Sequence, residues 1–245
     1  MNISLKQLHL ALLLALLFTA GNAQAGIVTV DLSSYYNANY DEDYQIRSYG
    51  SNTPPASPLG GIPFNLPSTG NNFYLFSGDN SQTPEALTLN VSVDNAVNAY
   101  LLLNTNWGPQ GFTTGKLEFN TSSGGSYAID LISGDNIRDW NNALWANSTS
   151  DSNSQEVYSI DNSRWNQSAR LDMLTVALPS TFIGDTLTSV VISDYGWDYQ
   201  SHIRFAGMTL ETRDSGGGVP VPEPGSIALL ALGLAGLGFS RLRRI

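Results

Sequence analysis

The chain has 245 residues, contains no cysteine and carries a formal net charge of −10 at neutral pH. Without cysteine there are no disulfides, no thiol catalysis, no zinc–thiolate sites and no iron–sulfur ligation. Residues 26–219 contain 7 basic and 20 acidic side chains, so this segment carries 7 − 20 = −13. Such an acidic surface is a poor partner for nucleic acid or anionic lipid, and we expect no nucleic-acid binding.

The N-terminal 25 residues have the three parts of a secretory signal peptide. Lys6 supplies the positive charge, and residues 8–18 form an apolar stretch too short to span a bilayer. Ala23 and Ala25 provide the small side chains of an A-x-A cleavage site. We therefore predict cleavage by signal peptidase, export from the cytoplasm and a mature chain that begins at Gly26.

Residues 26–213 have a length suited to one domain, and we predict an all-β fold, an antiparallel β-sandwich of jelly-roll type. Residues 86–93 alternate between apolar and polar side chains, which is typical of a half-buried strand. Residues 98–107 form a more continuous apolar run, as expected of a strand buried on both faces. Further strands are predicted at residues 115–121, 126–132, 156–160, 169–179, 187–196 and 202–211. Sustained 3.6-residue periodicity is missing from this region, so little helix is expected.

In the general pattern of these strands and turns, residues 73–212 resemble galactose-binding-like β-sandwich modules. The resemblance implies the sandwich fold and, as a class of ligand, a glycan bound by loops at one end of the sandwich. It rests on the overall pattern, and no binding residue of that family transfers position by position.

The body offers few residue combinations for catalysis or metal binding. His202 is the only histidine after the signal peptide, so a zinc cluster or a histidine relay is not predicted. The sequence has no G-x-S-x-G nucleophile motif and no phosphate-binding glycine loop. We therefore expect His202 to be structural, and we predict no metal and no other cofactor.

Carboxylate pairs leave one enzymatic alternative open. Asp135 with Asp139, or Asp194 with Asp198, are candidates for the acid and base of a glycoside hydrolase or lyase. They lie in turn-like sequence, where aspartate commonly closes its own turn, and we prefer this structural interpretation. Residues 40–44, three acidic residues between two tyrosines, are likewise interpreted as a solvated loop, with Ca²⁺ binding as the alternative.

Five aromatic residues are the candidates for contact with a glycan, namely Trp140, Trp145, Tyr195, Trp197 and Tyr199. In an extended segment the last three would share one face, with Asp194 and Asp198 on the other. Aromatic rings beside aspartate and asparagine suit sugars, because a pyranose stacks on the ring while its hydroxyls bind polar side chains. Packing of the rings in the core is the competing interpretation.

The C-terminal segment is predicted to contain a short membrane helix. Residues 225–240 carry no charge, and as a helix they would cover about 24 Å, less than the roughly 30 Å hydrocarbon core. Arg241, Arg243 and Arg244 follow and predict a cytoplasmic end, so the helix would hold the precursor in the membrane before processing. Residues 214–219 are rich in glycine and predict a flexible linker.

Pro222, Glu223 and Pro224 stand just before the apolar segment, and the prolines predict an extended, accessible backbone. A Pro-Glu-Pro motif, a short apolar helix and terminal arginines, in that order, resemble the PEP-CTERM sorting signal of Gram-negative bacteria over residues 220–245. The resemblance implies recognition by an exosortase, a membrane-embedded cysteine transpeptidase, with cleavage near the motif and delivery to the cell surface or extracellular matrix. An ordinary anchor is the alternative, and it leaves the Pro-Glu-Pro motif unexplained.

Two functions agree with these features. The first is a non-enzymatic surface or matrix protein whose sandwich provides cohesion in a biofilm or contacts exopolysaccharide. The second is an extracellular glycoside hydrolase or lyase displayed by the same tail. We predict the first, because the sequence carries aromatic and polar side chains suited to sugars without a nucleophile motif.

Overall fold

A computed structural model describes residues 25–38, 57–67, 70–76, 84–141, 146–162, 167–196 and 202–213. These residues belong to one compact unit, Gln24–Arg213. The predicted signal-peptide core, the linker and the sorting tail lie outside the described residues.

The described fold is all-β and consists of two antiparallel sheets, one of them curled into a half-barrel. The larger sheet contains β1 (Ala25–Thr29), β2 (Tyr74–Leu75), β4 (Ala96–Asn106), β7 (Ser154–Asn162), β8 (Gln167–Ala177) and β10 (His202–Arg213). Its strand order is β1-β10-β4-β8-β7, and β2 also pairs with β10. The smaller sheet contains β3 (Glu85–Asp94), β5 (Thr113–Thr121), β6 (Ser126–Ile132) and β9 (Thr186–Asp194), in the order β3-β9-β5-β6. A 3₁₀ turn, Ser180–Phe182, is the only helical element among the described residues.

Strand β3 has the alternation predicted for a half-buried strand. Leu87, Leu89 and Val93 are buried, whereas Thr88 and Asn90 are exposed. Because successive side chains of a strand point to opposite faces, this pattern places one face of β3 against the core and the other in solvent. The prediction for this segment is confirmed.

Strand β4 is buried on both faces, as its continuous apolar run predicts. Leu101 and Leu103 point into the main core with Phe119, Val190 and other side chains of the smaller sheet. Leu102, between them, points to the opposite face and joins a second apolar cluster. The larger sheet is therefore packed on both sides, which two-sided apolar strands require.

Residues 57–67 cover this second face of the larger sheet. Leu59 and Phe64 pack in the same cluster as Leu102, and the hydroxyl of Thr209 donates to the carbonyl of Pro63. A Cβ at Gly207 would lie 3.1 Å from both Leu102 and Phe64, so the covering segment approaches β10 closely. The predicted domain thus has two apolar layers, with the six-stranded sheet between them.

Candidate functional site

The described chain enters and leaves the two-sheet domain at the same end. Strand β1 runs antiparallel to β10, and Ala25 lies opposite Arg213. The N–H of Arg213 also donates to the carbonyl of Asn95, in the turn between β3 and β4, at 2.9 Å. We call this the terminal end of the domain. The predicted cleavage residues Ala25 and Gly26 therefore begin β1, whereas Ala23 lies outside the described residues.

The opposite end of β10 carries the longer connections. His202 pairs there with Asn106, the last residue of β4. Strand β10 has 12 residues, so His202 and Arg213 are about 36 Å apart at the usual strand rise. We call this the loop end, because the connections after β4, β6 and β9 leave the sheets here. The three connections are residues 107–112, 133–153 and 195–201.

The connection after β6 returns into the larger sheet. The regular pairing of β4 with β8 runs as far as Leu102 and Met173. Beyond that point, Thr105 forms an isolated bridge with Asp139, and the carbonyl of Trp140 accepts a hydrogen bond from the N–H of Arg170 at 2.9 Å. Residues 138–141 therefore bond to β4 on one side and to β8 on the other.

Charged and amide side chains hold residues 138–141, which we call the inserted segment, in place. Arg138 donates twice to the Asp172 carboxylate, at 2.7 and 2.8 Å, and once to Glu156 at 2.9 Å. The Asn104 side chain donates to Asp172 at 2.7 Å and accepts from its N–H at 3.2 Å. Arg170 donates through Nε to the carbonyl of Asp139 at 3.0 Å. Buried charges need such partners, and here the partners fix the backbone of the loop end.

Asp139 supplies the carboxylate of the inserted segment and is buried, at 1% exposure. One oxygen accepts the N–H of Asn141 at 2.8 Å, and the other accepts the N–H of Trp107 at 2.6 Å. Burial raises the pKa of Asp139 to about 6, while these two hydrogen bonds and the guanidinium groups of Arg204 and Arg170 act in the opposite direction. The carboxylate thus ties the connection after β4 to the connection after β6.

Trp107 has a backbone conformation that is unusual for a large side chain. Its φ is 56°, in the left-handed region, which costs about 1–2 kcal/mol for a residue with a Cβ. A Cβ at the following residue, Gly108, would lie 2.1 Å from Ser133 Oγ, so a larger residue there would require Ser133 to move. The bond from Trp107 to Asp139 offsets part of this strain.

Asp194 and His202 meet where β9 passes to β10. The Asp194 carboxylate accepts the N–H of Gly196 at 3.0 Å and the N–H of Ile203 at 3.3 Å. His202 Nδ1 lies 3.4 Å from Asp194 Oδ2, which is ion-pair distance without hydrogen-bond geometry. His202 stands at the first position of β10, at the strand edge where we expected a structural histidine.

Two of the four candidate carboxylates close turns among the described residues. Asp139 and Asp194 each accept the N–H two residues further on, as aspartate in turn-like sequence is expected to do. Asp135 accepts the hydroxyl of Ser150. Asp198 lies outside the described residues. Both oxygens of Asp139 and both oxygens of Asp194 are therefore occupied by the protein's own backbone donors.

The predicted glycan-contacting aromatics divide into three groups. Trp140 is 4% exposed, its Nε1 donates to the Asn106 side chain at 2.9 Å, and Arg204 lies 5.1 Å from its ring centroid. These contacts fit the core-packing interpretation for Trp140. Tyr195 is half-buried at the loop end, and its N–H donates to the carbonyl of Thr114. Trp145, Trp197 and Tyr199 lie outside the described residues.

The predicted extended run through residues 194–199 is interrupted. Strand β9 ends at Asp194, and Gly196 has a φ of 58°. A left-handed glycine turns the chain, so the alternation of side chains stops at residue 196. The predicted shared face of Tyr195, Trp197 and Tyr199 required that alternation to continue.

Sequence reasoning missed two aromatic residues of the loop end. Trp107 is half-buried, and Phe112 is 37% exposed in the same short connection. Trp107 was predicted only as the end of a strand, and Phe112 lay outside every predicted strand. The signal in the sequence is the composition of residues 107–112, an aromatic at each end of a stretch with two glycines and a proline, which is typical of a tight loop.

The comparisons with known proteins bear on the C-terminal tail. Residues 220–244 match the model of the PEP-CTERM protein-sorting motif. This motif marks an exosortase substrate. No curated protein and no solved structure matched the chain.

The PEP-CTERM motif confirms the predicted resemblance of the tail and implies an exported protein that is sorted to, or anchored at, the cell surface. The motif residues Pro222, Glu223, Pro224, Arg241, Arg243 and Arg244 lie outside the described residues.

The described part of the chain contains no helix long and apolar enough to cross a membrane. Within the same residues, no group of three or more histidine, cysteine or acidic side chains is placed to hold a metal ion. The acidic residues 40–44 are also outside the described ranges.

Proposed function

We propose that this exosortase substrate is a non-enzymatic protein of the cell surface or extracellular matrix, and that its sandwich contacts exopolysaccharide through the loop end. Signal peptidase would release the N-terminus, and the C-terminal helix would hold an inner-membrane intermediate until an exosortase processes it. The tail match supports the sorting, and the arrangement of the sandwich supports the contact with glycan.

The order of the strands in the two sheets supports this proposal. If the short strand β2 and the edge strand β7 are set aside, the remaining eight strands, renumbered in chain order, are arranged 1-8-3-6 in one sheet and 2-7-4-5 in the other. We infer a jelly roll from this order, because each sheet alternates strands from the two halves of the chain. Jelly rolls are common in lectin domains, and the resemblance to galactose-binding-like modules, which rests on the general pattern of strands and turns, implies a glycan as the class of ligand.

One observation carries the proposal, namely that the loop end lies about 36 Å along β10 from the terminal end. The linker to the sorting tail begins directly after Arg213, at the terminal end. A domain tethered there has its loop end at the far side from its point of attachment. Partly exposed aromatic side chains are placed at that far side, including Tyr195 and Phe112.

The use of the carboxylates favours a binding role over hydrolysis. Asp139 and Asp194 each accept two backbone N–H groups, so neither is poised to donate or take a proton at a sugar. A glycosidase needs two carboxyl groups facing the scissile bond. We therefore propose a protein that holds glycan and does not cleave it.

The test uses mature protein purified from its host, incubated with immobilised polysaccharides of several classes. Retention on at least one polysaccharide without new reducing ends is the expected result. Turnover that is abolished by Asp135→Asn or Asp194→Asn would instead establish the surface-displayed glycoside hydrolase or lyase. Retention on none of the polysaccharides would contradict the glycan contact while leaving the sorting intact.

A further inference from the structure

Residues 107–112 present two aromatic side chains at the loop end. Trp107 is half-buried and Phe112 is 37% exposed, whereas Trp140, in the inserted segment, is 4% exposed. Large aromatic side chains are usually covered when a core is available to them. Trp107 and Phe112 are thus positioned where a ligand can reach them.

The backbone that carries Trp107 is fixed by neighbouring loops. Its N–H donates to the buried Asp139 carboxylate, and the next residue, Gly108, accepts the N–H of Ala146 at 3.1 Å. At the other end of the connection, Ser133 donates through its N–H to the carbonyl of Phe112 at 2.9 Å. A binding surface held in this way loses little conformational entropy when a ligand binds.

The left-handed conformation of Trp107 also points to a binding role. A sequence under no constraint at this position would place glycine or asparagine at a φ of 56°. Strained residues of this kind concentrate at ligand-binding sites, where the surrounding structure holds them. Here the surrounding structure includes a buried carboxylate that receives the strained residue's own N–H.

We propose that Trp107 is the stacking residue of a site for a neutral polysaccharide, with Phe112 at its border and Asp139 as the positioning residue. This proposal rests on the glycan contact proposed above and names its residues. A pyranose ring stacks on an indole through its C–H face. The charge of −13 over residues 26–219 would repel a polyanionic chain, so a neutral one is expected.

The experiment measures affinity of mature protein, purified from its host, for soluble forms of xylan, galactan, mannan and a β-glucan, with alginate as the polyanionic probe. Trp107→Ala is expected to weaken binding to the preferred neutral polysaccharide at least tenfold, and Trp107→Phe by less than threefold, because phenylalanine retains a stacking face. Tyr127→Ala is the matched control. Tyr127 is a half-buried aromatic beside the turn at the terminal end, and its loss should leave affinity unchanged.

Asp139→Asn tests the positioning role. Alone it should weaken binding, but in the Trp107→Ala background it should cause no further loss of affinity, because it acts through Trp107. An additive loss would overturn that role. If the wild type binds and a folded Trp107→Ala variant binds equally well, the proposed site is overturned but the glycan contact is not. If the wild type binds no neutral polysaccharide, the glycan contact is overturned as well. Tighter binding of alginate than of any neutral chain would overturn the assigned ligand class.

Discussion

The carboxylate of Asp139 accepts the backbone N–H of Trp107 at 2.6 Å, across 32 residues of sequence. The acceptor is buried, and the donor has a left-handed backbone. This one hydrogen bond joins two connections that leave different sheets, so the shape of the loop end depends on a group whose charge varies with pH. The first prediction follows from that dependence.

Asp139 should make the protein less stable as the pH rises from about 4 to about 6. Its pKa is about 6 in the folded protein against an ordinary value of 3.8, so the folded state binds more protons in this window. Stability therefore falls as the pH rises, by about 3 kcal/mol for a shift of about two units. Urea unfolding of wild type and Asp139→Asn at pH 4 and pH 7 measures it. The free energy of unfolding of wild type minus that of Asp139→Asn should be smaller at pH 7 than at pH 4. An equal difference at the two pH values would contradict the raised pKa of Asp139.

Arg138 should contribute strongly to stability through its buried partner. Arg138→Met leaves the Asp172 carboxylate buried, with the Asn104 amide as its remaining side-chain donor among the described contacts. Loss of one partner from a buried ion pair costs about 3–5 kcal/mol. Lys116→Met is the control, because the Lys116–Glu118 pair is solvent-exposed and should contribute little. Equal effects of the two substitutions in chemical denaturation would contradict the role given to Arg138.

Signal peptidase should require the small side chains before Gly26. Replacing Ala23 and Ala25 with tyrosine is expected to leave a precursor that keeps its first 25 residues, because the enzyme accepts only small residues at these positions. Intact-mass measurement of the accumulated protein gives the N-terminus directly. Normal maturation of the double variant would place the cleavage site elsewhere.

Many strands of the two-sheet fold could be predicted because strand periodicity is local. The segment predicted at residues 126–132 coincides with β6, and the alternation of residues 86–93 is reproduced in β3. Strand β1 was missed because its five residues overlap the cleavage site and pair with β10, far along the chain. Pairing at such a distance leaves no periodic signal in a short segment.

The loop end could be predicted only in composition. The sequence shows that tryptophan and aspartate occur there. It does not show that Trp140 is buried while Trp107 is only half-buried, because this difference depends on the insertion of residues 138–141 between β4 and β8. Likewise, the φ of 58° at Gly196 is set by the turn that Asp194 closes, and it breaks the predicted alternation. Tertiary contacts decide these features, and single-segment patterns do not contain them.

The central claim is that the tail is read by an exosortase, and Glu223→Ala tests it most directly. If the tail acts only as an anchor, affinity for the membrane depends on apolar length and on the arginines, so the variant should behave as wild type. Because residues 220–244 match a sorting motif, we instead expect a precursor that is exported and membrane-bound but uncleaved. Blotting membrane and matrix fractions for residues 26–213 measures this. Absence of Glu223→Ala protein from the matrix, with accumulation in the membrane, is the predicted result, and release equal to that of wild type would contradict it.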